Sequence, residues 1–286
     1  MIRPNEQSPE PERPLSLGAS ILWFVFATAL TIFVLKITHW IRPDSDHDIV
    51  NAVVCQAAAY VATIWVVLQV HGIERPLSHV MGLRSTHVGF YAIALVLGPC
   101  LQVPADLLQR LTMRLWPMSQ ELVDSTREVL RMDSALSLAT IPLATAVVGP
   151  LVEEMLYRGV LFGQLRRHYT PRVAVVTVTG LFALAHGSVH VMVPLLFVGG
   201  VLTLLRWASG SLWPCLITHA SFNGVALMAT HVSSMREPSG AVATAADSPW
   251  YVSIVGILLS LSLVTGFLVL ADRSEMAKQA RQEDWS

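Results

Sequence analysis

Glu153, Glu154 and Arg158 stand in the run GPLVEEMLYRG, His186 and His190 in LFALAHGSVH, and His219 and Asn223 in WPCLITHASFNGV. Carboxylates, imidazoles and an amide are the parts of a hydrolytic site. A carboxylate with one imidazole can hold a water and take its proton. A second imidazole and an amide can donate hydrogen bonds to the oxyanion of a tetrahedral intermediate. All three runs are otherwise apolar. A charged group inside a membrane helix costs about 2.5–3.5 kcal/mol on insertion scales, and such groups persist where they are paired or face a cavity.

Helical spacing sorts these residues. Glu154 and Arg158 are four apart, with the acid on the N-terminal side, so they share a face and can form an ion pair. Glu153 points about 100° away and has no partner at that spacing. A structural salt bridge therefore accounts for Glu154 and Arg158 but not for Glu153. Phe182 and His186 share a face, and so do His219 and Asn223. His190 lies one turn beyond His186, where the chain breaks between spans. Taken singly, a histidine near a helix end can be merely interfacial. An asparagine in a membrane helix can serve only to bond its neighbour. The case for chemistry rests on three successive apolar helices each presenting polar groups.

The elements that must position them are membrane helices. The 286-residue chain is 53% hydrophobic and 14% charged, against about 25% charged in soluble domains. A span needs about 20 mostly apolar residues. Uncharged stretches run over 15–35, 49–70, 87–105, 134–152, 173–205, 207–235 and 248–271. The fifth is long enough for two spans broken at Gly187-Ser188, and Pro150 after Gly149 reads as a helix restart. The expected fold is all-α, a polytopic transmembrane bundle of about eight spans.

With no fixed-period repeat, one domain is expected: a polar tail over 1–14, a membrane-embedded domain over 15–271 and a polar tail over 272–286. No signal-peptide cleavage site follows the first apolar run, which reads as an uncleaved span. Cys55, Cys100 and Cys215 lie far apart in apolar stretches, with neither disulfide-framework nor zinc spacing. A net charge of −1 gives no reason to expect nucleic acid as a partner. With the N-terminus inside, twelve Lys and Arg residues, Arg158 among them, fall inside and seven outside. The positive-inside rule then puts both termini in the cytoplasm. The mixed-charge stretch RLTMRLWPMSQELVDSTREVLRMD fits a helix lying at the interface.

In this order, Glu153-Glu154-x-x-x-Arg158, Phe182-x-x-x-His186 and His219-x-x-x-Asn223 resemble the three motifs of the CPBP family. That family comprises the type II CAAX prenyl proteases and their bacterial relatives, also called the Abi family. The resemblance covers a core of about 146–228. It implies a CAAX-prenyl-protease-like helical fold and peptide-bond hydrolysis within the membrane, a bacterial inner membrane fitting the bacterial relatives. By carry-over, Glu153 with His186 would activate the water, and His219 with Asn223 would form the oxyanion hole. Glu154, Arg158 and Phe182 would support them. Family members are also named metalloproteases, and Glu153, His186 and His219 are a conceivable zinc set. The chain lacks H-E-x-x-H, and a glutamate mechanism without a cofactor is preferred. The implied partner besides the lipid bilayer is a membrane protein or peptide, lipidated or carrying a C-terminal sorting anchor.

Two other classes stay in view. A proton-coupled transporter would show inverted repeats with broken helices in both halves, whereas here the ionisable groups cluster in the second half. A bacteriocin-immunity or scaffold protein would keep the fold without needing the motifs intact.

Overall fold

The computed structural model describes residues 13–236 and 250–283. The expected tail over 1–14 lies almost wholly outside the described residues. These residues contain helices and no strands. The helices are α1 (Leu17–Ile41), α2 (Ile49–Val70), α3 (Leu77–Met81), α4 (Val88–Leu115) and α5 (Gln120–Val129). They continue as α6 (Ala135–Leu165), α7 (Pro171–Ala185), α8 (Val189–Ser209), α9 (Trp213–Arg236) and α10 (Trp250–Glu283). A short 3₁₀ turn, Pro43–His47, joins α1 to α2.

Capping side chains set several starts. Ser16 accepts from Ala19 N–H at α1, Asp48 from Asn51 N–H at α2, and Thr170 from Val173 N–H at α7. Ser134 and Ser137 cap α6 reciprocally. The break expected at Gly187-Ser188 is present: α7 ends at Ala185, and Gly187 at φ 62° turns the chain into α8.

Six described helices are long and apolar enough to cross a membrane: α1, α2, α4, α6, α8 and α10. This is a multi-pass membrane protein. Large apolar side chains face outward along the spans, Leu22 at 70% and Leu136 at 72% exposure. Trp40, Trp116 and Trp250 lie outward at one end of the bundle and Trp207 and Trp213 at the other, as interfacial tryptophans do.

The other two expected spans are helices of a different kind. The 15 residues of α7 rise only about 22 Å, short of a hydrocarbon core of about 30 Å. The 24 residues of α9 are long enough, but His219, Ser221 and Asn223 dilute its apolar character.

Two further expectations change. The fourth apolar stretch does not end at Val152, and the helix does not restart at Pro150. It runs unbroken from Ala135 to Leu165. Arg158 is therefore wholly buried inside the bundle and is no topology signal, leaving eleven inside cations against seven. The third stretch is also longer, since α4 reaches Leu115 and carries Arg110 paired with Asp106. Of the stretch expected at the interface, residues 110–115 belong to α4, and residues 120–129 form α5, which has no buried residue. Beyond Ala271, α10 continues as helix to Glu283.

α4 is the central helix and packs against α8, α9 and α10. Its crossing with α9 is close because position 98 is glycine. A Cβ there would sit 2.0 Å from Ser221 Oγ and 2.5 Å from the Thr218 carbonyl oxygen. Thr218 Oγ1 donates to Ala94 O at 3.1 Å, and Gln102 donates to Phe222 O. These contacts bracket His219 and fix its height and rotation. Gly98→Val should force the two helices apart at a cost of about 1–3 kcal/mol, read as a lower Tm of the purified protein in detergent.

Candidate active site

α6 is a helix of mixed register. Leu143–Val148 and Met155–Leu161 are π-helical, and Gly149–Glu154 between them is α-helical. Each π segment widens the helix by one residue and re-aims the side chains beyond it. In the first, Gly149 N–H bonds Ala144 O, five residues back. The next donor in that register would serve Thr145 O, but position 150 is proline and has no N–H. Asn223 of α9 fills the gap, its Nδ2 donating to Thr145 O at 3.0 Å. In the second, Phe162 N–H bonds Tyr157 O. The carbonyl after it, Arg158 O, accepts from Arg206 Nε of α8 at 3.2 Å. Two neighbouring helices thus bond the backbone on either side of the glutamate pair.

The pair itself is buried. Glu154 and Arg158 are 0% exposed, Glu153 9% and His219 5%. Arg158 Nη1 donates to Glu154 Oε1 at 2.7 Å, and His219 Nδ1 lies 2.8 Å from the same oxygen. A carboxylate can only accept, so Nδ1 carries the proton and Nε2 of His219 is left for other work. That Nε2 lies 3.8 Å from Glu153 Oε2, beyond a direct hydrogen bond. Glu153 Oε1 is held by Gln56 Nε2 of α2 at 3.1 Å.

Each of the three guanidinium nitrogens of Arg158 donates a hydrogen bond. Its Nη2 donates to Gly199 O at 3.0 Å and its Nε to Thr203 Oγ1 at 3.3 Å. Its guanidinium carbon stacks 4.2 Å from the centre of the Phe182 ring, a favourable cation–π position. Position 199 has to be glycine: a Cβ there would lie 2.8 Å from Phe182 Cδ1 and 3.3 Å from Arg158 Nη2.

Phe182 stands between the two motif histidines. Its ring centre is 5.0 Å from that of His186 and 5.8 Å from that of His219. His186 caps α7 and is exposed, with Nδ1 3.0 Å from Phe182 O. The carbonyl requires Nδ1–H, so His186 too presents its Nε2 outward from the helix. His190 is held elsewhere, its Nδ1 3.1 Å from Trp116 O at the end of α4.

The structure therefore gathers Glu153, Glu154, Arg158 and His219 by direct polar contact. Phe182 and Asn223 join them through ring packing and a helix-to-helix bond. His186 reaches the group only across Phe182. Among the described residues no three His, Cys, Asp or Glu side chains are grouped to hold a metal ion. His186 stands apart from Glu153 and His219, across the ring of Phe182.

Five participants were not singled out in the sequence. Gln56 is an amide in an otherwise apolar span, which is a weak signal. Gly199 and Thr203 lie in an unremarkable apolar run and gain their meaning only from Arg158. Tyr60 and Tyr157, both buried, place their hydroxyls 3.3 Å apart, and Tyr60 follows Gln56 by one turn.

Removing one partner from a buried ion pair leaves an uncompensated charge, typically at about 3–5 kcal/mol. Arg158→Met should thus lower thermal stability sharply, and the double change Arg158→Met with Glu154→Leu should recover part of that loss. Equal Tm values for the single variant and the unaltered protein would show that the pair carries no such weight.

No curated protein and no solved structure matches this chain. Residues 135–225 match the family model for the type II CAAX prenyl endopeptidases, Rce1-like. The match begins at the first turn of α6 and ends two residues after Asn223, so it takes in all three motifs but not Gln56. Proteases make up that family, and residues 135–225 of this chain are similar to its type II CAAX prenyl endopeptidase domain.

Proposed function

We propose that this protein is an intramembrane endopeptidase that cuts a membrane-associated protein or peptide with a water activated by Glu153. The observation that carries this reading is the buried Glu153/Glu154–His219 cluster inside the matched domain. An oxygen can lie about 2.8 Å from both Glu153 Oε2 and His219 Nε2, since those atoms are 3.8 Å apart. Gln56 occupies Glu153 Oε1 and so leaves Oε2 to take the water's proton.

In this mechanism the new hydroxide attacks the scissile carbonyl carbon. The C–N bond then breaks, and the proton taken by Glu153 leaves on the amine. Glu154 and Arg158 hold His219 in the tautomer that needs a free Nε2. The short separation favours His219 over His186 as the imidazole that shares the water. The second N–H of Asn223 is then a donor for the oxyanion. A substrate with a lipidated or membrane-anchored C-terminus suits a site built between apolar helices. The membrane in this reading is a bacterial inner membrane, with both termini cytoplasmic.

Cleavage of a membrane-delivered peptide should vanish in Glu153→Ala while Tm stays within a few degrees of the unaltered protein. Full activity in that variant would sink the mechanism. Incubation with a strong chelator should leave cleavage unchanged, whereas a loss that added zinc restores would favour a metal-dependent reaction.

A further inference from the structure

Two residues of α2, Gln56 and Tyr60, reach α6 beside the glutamate pair from outside residues 135–225. Gln56 Nε2 donates to Glu153 Oε1 at 3.1 Å. One turn further along each helix, the Tyr60 and Tyr157 hydroxyls lie 3.3 Å apart. One turn before, Val53 Cγ1 lies 3.9 Å from where a Cβ on Gly149 would stand. These contacts advance together along both helices, so α2 and α6 run parallel and in step.

The Tyr60–Tyr157 rung is the firmer of the two polar ones. Both side chains are buried. Their rings meet edge to face with centres 6.0 Å apart, and Tyr157 meets Phe182 in the same way at 5.5 Å. Aromatic pairs of this geometry are favourable beyond the area they bury. Phe182 is in turn fixed against the guanidinium of Arg158.

The Gln56 rung needs such support. A glutamine side chain has much rotamer freedom to lose, and its amide carries N–H groups on one arm and an oxygen on the other. Turned over, Gln56 would set that oxygen against the Glu153 carboxylate. The Tyr60 hydroxyl is within interacting range of both the Gln56 amide and the Glu153 carboxylate. Its own place is fixed by Tyr157.

We infer that Tyr60 is a positioning residue for Glu153 and acts through Gln56. It holds the amide with its N–H toward Glu153 Oε1, so that Oε2 stays turned to His219 Nε2. A carboxylate supplied by the matched domain is thus aimed by a helix outside that domain. The inference deepens the peptidase reading and rests on it, since the aim of Oε2 matters where that oxygen takes a proton from water.

The test compares Gln56→Met, Tyr60→Phe and their double variant in the full chain. One readout is steady-state cleavage of a membrane-delivered peptide. The other is the infrared difference between each variant and the same variant carrying Glu153→Gln, which isolates the Glu153 carboxylate bands. A misplacement of about 1 Å can cost about a hundredfold in rate. Gln56→Met should lower kcat by about that factor and Tyr60→Phe, which keeps the ring and its packing, by about tenfold, each with KM unchanged. Tyr157→Phe should match Tyr60→Phe. Adding Tyr60→Phe to Gln56→Met should cost nothing more, because residues that act through one another are not additive. The Glu153 bands should shift in Gln56→Met and in Tyr60→Phe. Val54→Ala, on the outward face of α2, should change neither readout. An unaltered kcat in Tyr60→Phe, or a further loss of about tenfold in the double variant, would overturn the inference, as would a raised KM with kcat unaltered. The bands report Glu153 without turnover. If the unaltered protein cleaves nothing, the peptidase reading fails, and unmoved bands in Tyr60→Phe would still overturn the inference by themselves.

Discussion

A guanidinium and a carboxylate with no access to solvent set the terms for the rest of this structure. Arg158 and Glu154 are both fully buried. Desolvating such a pair costs several kcal/mol per ion, and attraction offsets this only when the remaining hydrogen-bonding capacity is also met. The surroundings of Arg158 answer that demand. Gly199 gives up a side chain so that its carbonyl can be reached, Thr203 turns its hydroxyl in, and Phe182 offers a ring face. Glu154 then has one well-placed oxygen to spend on His219. That contact fixes the Nδ1–H tautomer of the histidine, while Glu154 Oε2 is buried without a hydrogen-bond partner.

The backbone of α6 is organised by the same logic. π segments border the glutamates on both sides, and in each a neighbouring helix bonds a backbone carbonyl. Asn223 from α9 and Arg206 from α8 supply the donors. These bonds hold α6 between its neighbours, so that side chains from α2, α6, α7 and α9 converge within hydrogen-bonding or ring-packing distance. A regular α-helix through Pro150 would leave its own gap in the ladder and would turn Glu153 and Glu154 to other directions. The helix irregularity and the polar cluster are parts of one arrangement.

Function then divides between the two adjacent acids according to what surrounds them. Glu154 is committed on its Oε1 side to Arg158 and His219. Glu153 is held on one oxygen by a neutral amide and keeps the other toward His219 Nε2. A charged, doubly engaged carboxylate is a poor base, and a singly engaged one facing an imidazole is a better one. The proposed roles rest on that contrast.

Much of this was legible in the amino-acid order. Composition and uncharged stretches identify membrane helices, because no other backbone form except a closed barrel satisfies its polar groups in lipid. The four-residue spacing of Glu154 and Arg158 identifies their pairing, because helix geometry makes such residues neighbours. The break at Gly187 was legible for the same local reason.

What the tertiary structure alone decided depends on partners distant in sequence. A charge inside a helix looks like the end of a span until its counter-charge and carbonyls are known, and so α6 runs on past Val152 to Leu165. The contact of His219 with Glu154 joins residues 65 positions apart, and that of Gln56 with Glu153 joins residues 97 apart. No periodicity encodes such distances. Local geometry determined which groups the helices carry, and helix packing decided which of them meet.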